Sequence, residues 1–308
     1  MIETKKRFMT YPLLRLRKFL TSYLKQICIL LAIIFFVFSC NRNSPRQTSP
    51  IKITSEQKKW MEPFFQEFLL EGSAIYTLWG SKPITRCILY YYSAEEIQYW
   101  YDHMSEEEKK TSFVRENPHF EENWEKWEKI QDQFPMTRYL LFKTDNPIES
   151  KTDPKTAMVY FVNILQTALT MLQHYELFKE VVGDEFNPFD MAYDFKNRDS
   201  PFWQLVSDNS ALMGILFGYG RENSWMFHWK HFDHDEKNDR FAEGIKLQFN
   251  DDSPRVISTL ANFPLPAFMV LNKKDKMIKK YQKEREEIKK IYEGQDFVEL
   301  TLQKLTSP

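Results

Sequence analysis

A run of twelve apolar residues near the start of the chain, Ile27 to Phe38, divides it into two parts that obey different rules. Twelve residues match the hydrophobic length of a secretory signal and fall short of the ~20 that a membrane-spanning helix needs. Extending the run back to Leu24, as an uncleaved anchor requires, brings Lys25 inside it and leaves the span marginal. Residues 1–39 carry seven basic groups (Lys5, Lys6, Arg7, Arg15, Arg17, Lys18, Lys25) against one acid, Glu3. What remains holds 35 basic and 42 acidic residues, so the overall charge of -1 hides a basic leader and an acidic body.

The apolar run ends in Val37-Phe38-Ser39-Cys40, which resembles the lipobox of bacterial lipoproteins. An aliphatic residue stands three before the cysteine and a small one just before it, while Phe38 is bulkier than that pattern usually carries. The resemblance implies cleavage before Cys40, lipid with palmitate-type chains on that residue, and a mature protein outside the cytoplasm, anchored to the inner or outer membrane. Asn41 to Pro50 is polar and contains two prolines, with no apolar face to bury, as a tether requires. The expected organisation is a signal peptide at 1–39, a tether at 40–53 and a single globular domain at 54–308.

That domain has material for a core, since 43% of the chain is hydrophobic and 16% aromatic. Its negative charge repels phosphate backbones, which sets nucleic acid aside as a partner. Of three cysteines, Cys28 lies within the apolar export segment and Cys40 at its end, leaving Cys87 alone in the folded part without an internal disulfide partner. In Cys-Ile-Leu-Tyr-Tyr-Tyr it reads as a small buried apolar residue rather than a nucleophile, because a thiolate needs a cationic or helix-terminal setting.

Thr54 with Gln57 forms a capping box ahead of an apolar face (Trp60, Met61, Phe64, Phe65, Phe68, Leu69), predicting a helix that ends at Gly72. Ile75 to Trp79 and Cys87 to Tyr92, rich in β-branched and aromatic residues around Gly80-Ser81-Lys82-Pro83, predict a hairpin. Ser93 with Glu96, Ser105 with Glu108, and the spacing of Phe120, Trp124, Trp127 and Ile130 predict helix from Ala94 to Gln133. Further strands are expected at Arg138–Lys143 and Ala157–Val162, the second leading through Asn163 into a helix that stops at Gly183. Asp184 to Ser200 reads as loop, followed by a short helix at Pro201 and a longer one from Ser210. Strands at Lys246–Asn250 and Phe268–Leu271 and a charged helix over Lys273–Glu293, ending at Gly294, complete the chain. Strands scattered among helices without βαβ alternation predict an α+β domain, with helices over one face of a small, mostly antiparallel sheet.

Chemistry concentrates in two places. His228, His231 and His234 are half of the chain's six histidines and lie beside Asp233 and Asp235, ligand types favoured by a divalent transition metal such as zinc, nickel or copper. On a helix only successive pairs share a face, since His228 and His234 diverge by about 120°. The competing reading is a helix end in which histidine offsets the negative C-terminal dipole. The second place holds Gly214, Gly218 and Gly220, three of only eight glycines, followed by Arg221, Glu222 and Asn223. Small residues four apart mark close helix packing; a ligand-facing turn is the alternative, with Arg221 clamping a carboxylate or phosphate and Glu222 and Asn223 orienting it. Neither a phosphate loop nor a Gly-x-Ser-x-Gly elbow is present. Tyr90-Tyr91-Tyr92, Tyr99-Trp100-Tyr101 and Trp225, Phe227 and Trp229 are the residues that would stack on sugars or peptides, though such residues mostly fill cores.

Tyr76 to Thr85, Gly214 to Asn223 and the charged helix running to Gly294 together resemble uncharacterised exported proteins of chlamydia-related bacteria, over most of the mature chain. That resemblance implies export and no known activity, cofactor or site. The function expected is therefore a membrane-anchored envelope lipoprotein whose domain binds a protein or small ligand without catalysis. The alternatives are a metal-dependent envelope enzyme using His228, His231 and His234 with Asp233, and a self-assembling structural envelope protein.

Overall fold

The computed structural model describes residues 53–91, 119–145, 155–197, 199–232, 246–250 and 258–308, together with Tyr99, Asp102, His103 and Ser105. Ile53–Pro308 form one compact unit. The predicted capping box of Ser93 with Glu96, Glu108 of the box predicted at Ser105, most of the helix expected from Ala94, and His234 with Asp233 and Asp235 lie outside the described residues.

Helix α1, Ser55–Phe65, opens on the predicted capping box: Thr54 Oγ1 accepts from Gln57 N at 3.1 Å, and Gln57 Oε1 accepts from Thr54 N at 2.8 Å. It continues as a π-helical stretch, Gln66–Glu71, capped by Gly72. Its buried face meets α3, His119–Ile130, through Phe64, which is surrounded by Phe65, Phe68, Phe120, Trp124 and Trp127 at 5.4–6.3 Å.

The next segment overturns an expectation. Ile75–Leu78 is not a strand but a helical turn, α2, and no hairpin forms with the residues after Cys87. All four of its residues are buried, on every side of the turn. β-Branched and aromatic content measures fit to a half-buried pleated surface, and tertiary packing overrides it here. Two carbonyls of the turn are taken by sheet side chains: Tyr139 Oη donates to Leu78 O at 3.0 Å and Asn163 Nδ2 to Thr77 O at 3.2 Å.

Strands β1 (Ile84–Tyr91), β2 (Tyr139–Asp145) and β3 (Lys155–Asn163) form an antiparallel sheet with β3 central. Ile84 pairs with Val162 and Thr85 with Phe161, while Leu140 and Leu141 oppose the same two residues from the other side. Adjacent residues point to opposite faces, and both Phe161 and Val162 are fully buried. Helices therefore cover both faces, where one was expected. Phe68 meets Phe161 edge-on at 5.5 Å on one side. Ile84 and Val162 join Ile164, Ala168, Trp203, Val206, Leu212 and Leu216 on the other. An uninterrupted apolar run such as that of β3 is what a strand buried on both faces carries.

Asn163 caps α4, Ile164–Gln173; a break at His174 separates it from α5, Tyr175–Val182, which ends at Gly183 with φ +85°. The span expected as loop contains α6, Pro188–Tyr193, with Asn187 as its cap and Pro188 at its first position. Then come α7, Pro201–Asp208, α8, Ser210–Leu216, and α9, Arg221–His231, so the single helix expected from Ser210 is two helices joined through glycines. Short strands β4, Gln248–Phe249, and β5, Met269–Val270, pair with each other. Helix α10, Lys276–Tyr292, and a final helix not anticipated, α11, Phe297–Thr306, close the chain around Gly294. The architecture is α+β: helices packed on a small antiparallel sheet in a single unit.

Candidate functional site

The two segments singled out by their chemistry are neighbours, because α8 and α9 form a tight helical pair. Gly214 makes the close approach possible: a Cβ there would stand 2.7 Å from Ser224 Oγ, so this glycine serves helix packing. Gly218 and Gly220 adopt φ of +79° and +83° in the turn between the helices. Gly220 starts α9 without a side-chain cap.

Arg221, Glu222 and Asn223 leave this turn in different directions. The Arg221 charge acts on His174 at the α4–α5 break, where burial first and that charge second hold the imidazole below its ordinary pKa. Glu222 pairs with Lys276 of α10 at 2.9 Å, both exposed. Asn223 is buried and turns back, its Nδ2 donating to Tyr219 O at 3.0 Å while its Oδ1 has no hydrogen-bond partner among the described residues. The three do not converge as a clamp with Arg221 oriented by its neighbours.

His228 and His231 lie one turn apart on α9. His228 Nδ1 is 2.8 Å from Ser210 Oγ across the helix pair, and the His231 ring is 4.7 Å from Phe227. Among the described residues no three His, Cys, Asp or Glu side chains come together as metal ligands.

The turn at Gly218 rests on a group that the sequence does not single out. Lys82, expected in a turn between two strands, is 4% exposed; its Nζ donates to Ile84 O at 2.8 Å and to Thr85 Oγ1 at 3.1 Å. Thr85 Oγ1 lies 2.7 Å from Thr77 Oγ1, tying β1 to α2. Burial brings the lysine pKa down to about 7, with Cys87 acting against the shift and the nearby Arg86 charge adding to it. A Cβ on Gly218 would stand 2.3 Å from Tyr281 Oη and 3.3 Å from Lys82 Cγ, and that same Tyr281 Oη donates to Gly218 O at 2.8 Å.

Cys87 completes this neighbourhood. Its Sγ packs against Gly72, and burial pushes the thiol up to about 12. A neutral thiol is a poor nucleophile, in keeping with a packing role. Comparison with protein-family models, with curated proteins and with solved structures found no match to this chain.

Proposed function

We propose that this chain is exported, cut before Cys40 and held on a membrane by lipid on that residue, and that its compact unit binds a protein or small ligand in the cell envelope without catalysis. The observation that carries the reading is the order of three segments: the apolar run to Phe38, the Ser39-Cys40 junction, and a polar stretch reaching the capped start of α1. Among the described residues no helix is long and apolar enough to cross a membrane; in this reading the lipid on Cys40 is the attachment.

Intact-mass analysis of the protein purified from membranes is expected to find Cys40 at the N-terminus carrying acyl chains. Cys40→Ala should abolish the acylation and leave the uncut precursor. An unmodified N-terminus, or a variant of unchanged mass, overturns the anchor. In-cell cross-linking that captures neither protein nor ligand on the acylated chain overturns the binding role alone.

One observation favours a second reading, a metal-dependent enzyme. Ser210 engages Nδ1 of His228, and metal-binding histidines are commonly oriented through their other nitrogen. His231 shares that face, and His234 with Asp233 would supply the remaining ligands. On the first reading, chelator should move the melting temperature by less than about 1 °C, since no bound metal contributes to stability. A stoichiometric metal together with a clear drop on chelation would favour the enzyme.

A further inference from the structure

The buried amine of Lys82 sits where four parts of the fold meet. Residues 79–83 link α2 to β1, with Ser81 hydrogen-bonded through both its amide and its hydroxyl to the Glu284 carboxylate of α10. Pro83 O accepts from Asn163 N at 2.9 Å and Thr167 Oγ1 at 3.4 Å, joining the link to β3 and α4. The Gly218 turn lies against the lysine stem, and Tyr281 of α10 closes the turn from the far side.

The hydrogen bonding of the amine matches its neutral form. An –NH2 group has two N–H bonds, and two acceptors are present, Ile84 O and Thr85 Oγ1. An ammonium adds a third donor and a full charge in a site where, among the described residues, no carboxylate accepts from Lys82 Nζ. The titratable groups facing it are Arg86 and Cys87 on β1, with Glu67 of the π-helical stretch acting on Cys87. From the other elements come Tyr219 beside Arg86 in the glycine turn, and Tyr281 with Glu284 on α10. The neighbouring cation opposes protonation, and the enclosed thiol is itself neutral at physiological pH.

We propose that Lys82 is a proton-coupled latch: the junction closes around the neutral amine, and opening it takes up a proton from solvent. The direction follows from linkage. The closed-state pKa is about 7 and the value in water 10.5, so between these values the open state binds more protons than the closed one. Opening therefore becomes easier as pH falls through that window and levels off below it, where both states are protonated. The latch is tightest at alkaline pH and loosest from neutrality downward.

Hydrogen exchange on the full chain in detergent, corrected for the intrinsic pH dependence of exchange, tests this. Peptides spanning 79–85, 214–221 and 278–285 should show an opening constant that rises about tenfold per unit as pH falls from about 9.5 to about 7.5. Lys82→Met, which keeps the stem and removes the charge, should flatten that slope. A flat wild-type profile, or a variant that keeps the slope, overturns the proposal. Should the variant not fold, the side-chain NMR titration of Lys82 in the unaltered protein decides: a midpoint near 7 supports the latch, and one near 10 overturns it.

Discussion

Phe64→Ala is expected to lower the unfolding free energy by about 4 kcal/mol, within the usual range for removing a buried phenylalanine. Phe64 is fully buried and lies within 6.4 Å, centroid to centroid, of six aromatic rings: Trp60, Phe65, Phe68, Phe120, Trp124 and Trp127. The cluster joins α1 to α3, and Phe68 carries it on to Phe161 in the centre of the sheet. Ala leaves a space bounded by rigid rings on separate elements, which close on it poorly. Lost transfer energy and the cavity cost therefore add. Urea unfolding with an unchanged m-value measures the effect. A loss under about 1 kcal/mol would mean that the ring cluster lies outside the cooperative core or collapses freely. The indole nitrogens of Trp124 and Trp127 are buried without a hydrogen-bond partner, so any rearrangement of this cluster must continue to exclude or accommodate them.

Gly218→Ala should cost about 3 kcal/mol, and Gly183→Ala about 1 kcal/mol, although both glycines have positive φ. The backbone strain is shared: φ is +79° at Gly218 and +85° at Gly183. Surroundings distinguish them. Around Gly183 an added Cβ meets nothing within 4 Å, whereas at Gly218 it would lie 2.3 Å from Tyr281 Oη. Tyr281 is fully buried and its hydroxyl holds Gly218 O, so the ring moves only by giving up that bond inside the core. Combining Gly218→Ala with Tyr281→Phe should recover part of the loss, because the second change deletes the clashing atom. Equal costs at the two glycines, or no recovery in the double variant, would show that local strain alone governs the turn.

What the sequence by itself determined is local and periodic. The capping box at Thr54, the cap at Asn163, the proline at the first position of α7, the helical stripe of α3, the apolar runs of β2 and β3 and the glycine stop at Gly294 were all legible, because each depends on residues within one or two turns of the chain. The α+β class followed from their order, and the packing role of Gly214 from its spacing. Only the tertiary structure decided the rest. Ile75–Leu78 became a helical turn because its neighbours enclose every side of it, which no propensity encodes. The sheet acquired helices on both faces because β3 is central, a pairing choice made between segments far apart in sequence. Arg221, Glu222 and Asn223, adjacent in the chain, separated toward α5, α10 and the preceding turn. Lys82 read only as a turn residue in Gly-Ser-Lys-Pro; it is buried because distant elements, Gly218 and Tyr281 among them, come together around it, and desolvation is a property of what covers a group rather than of the group itself.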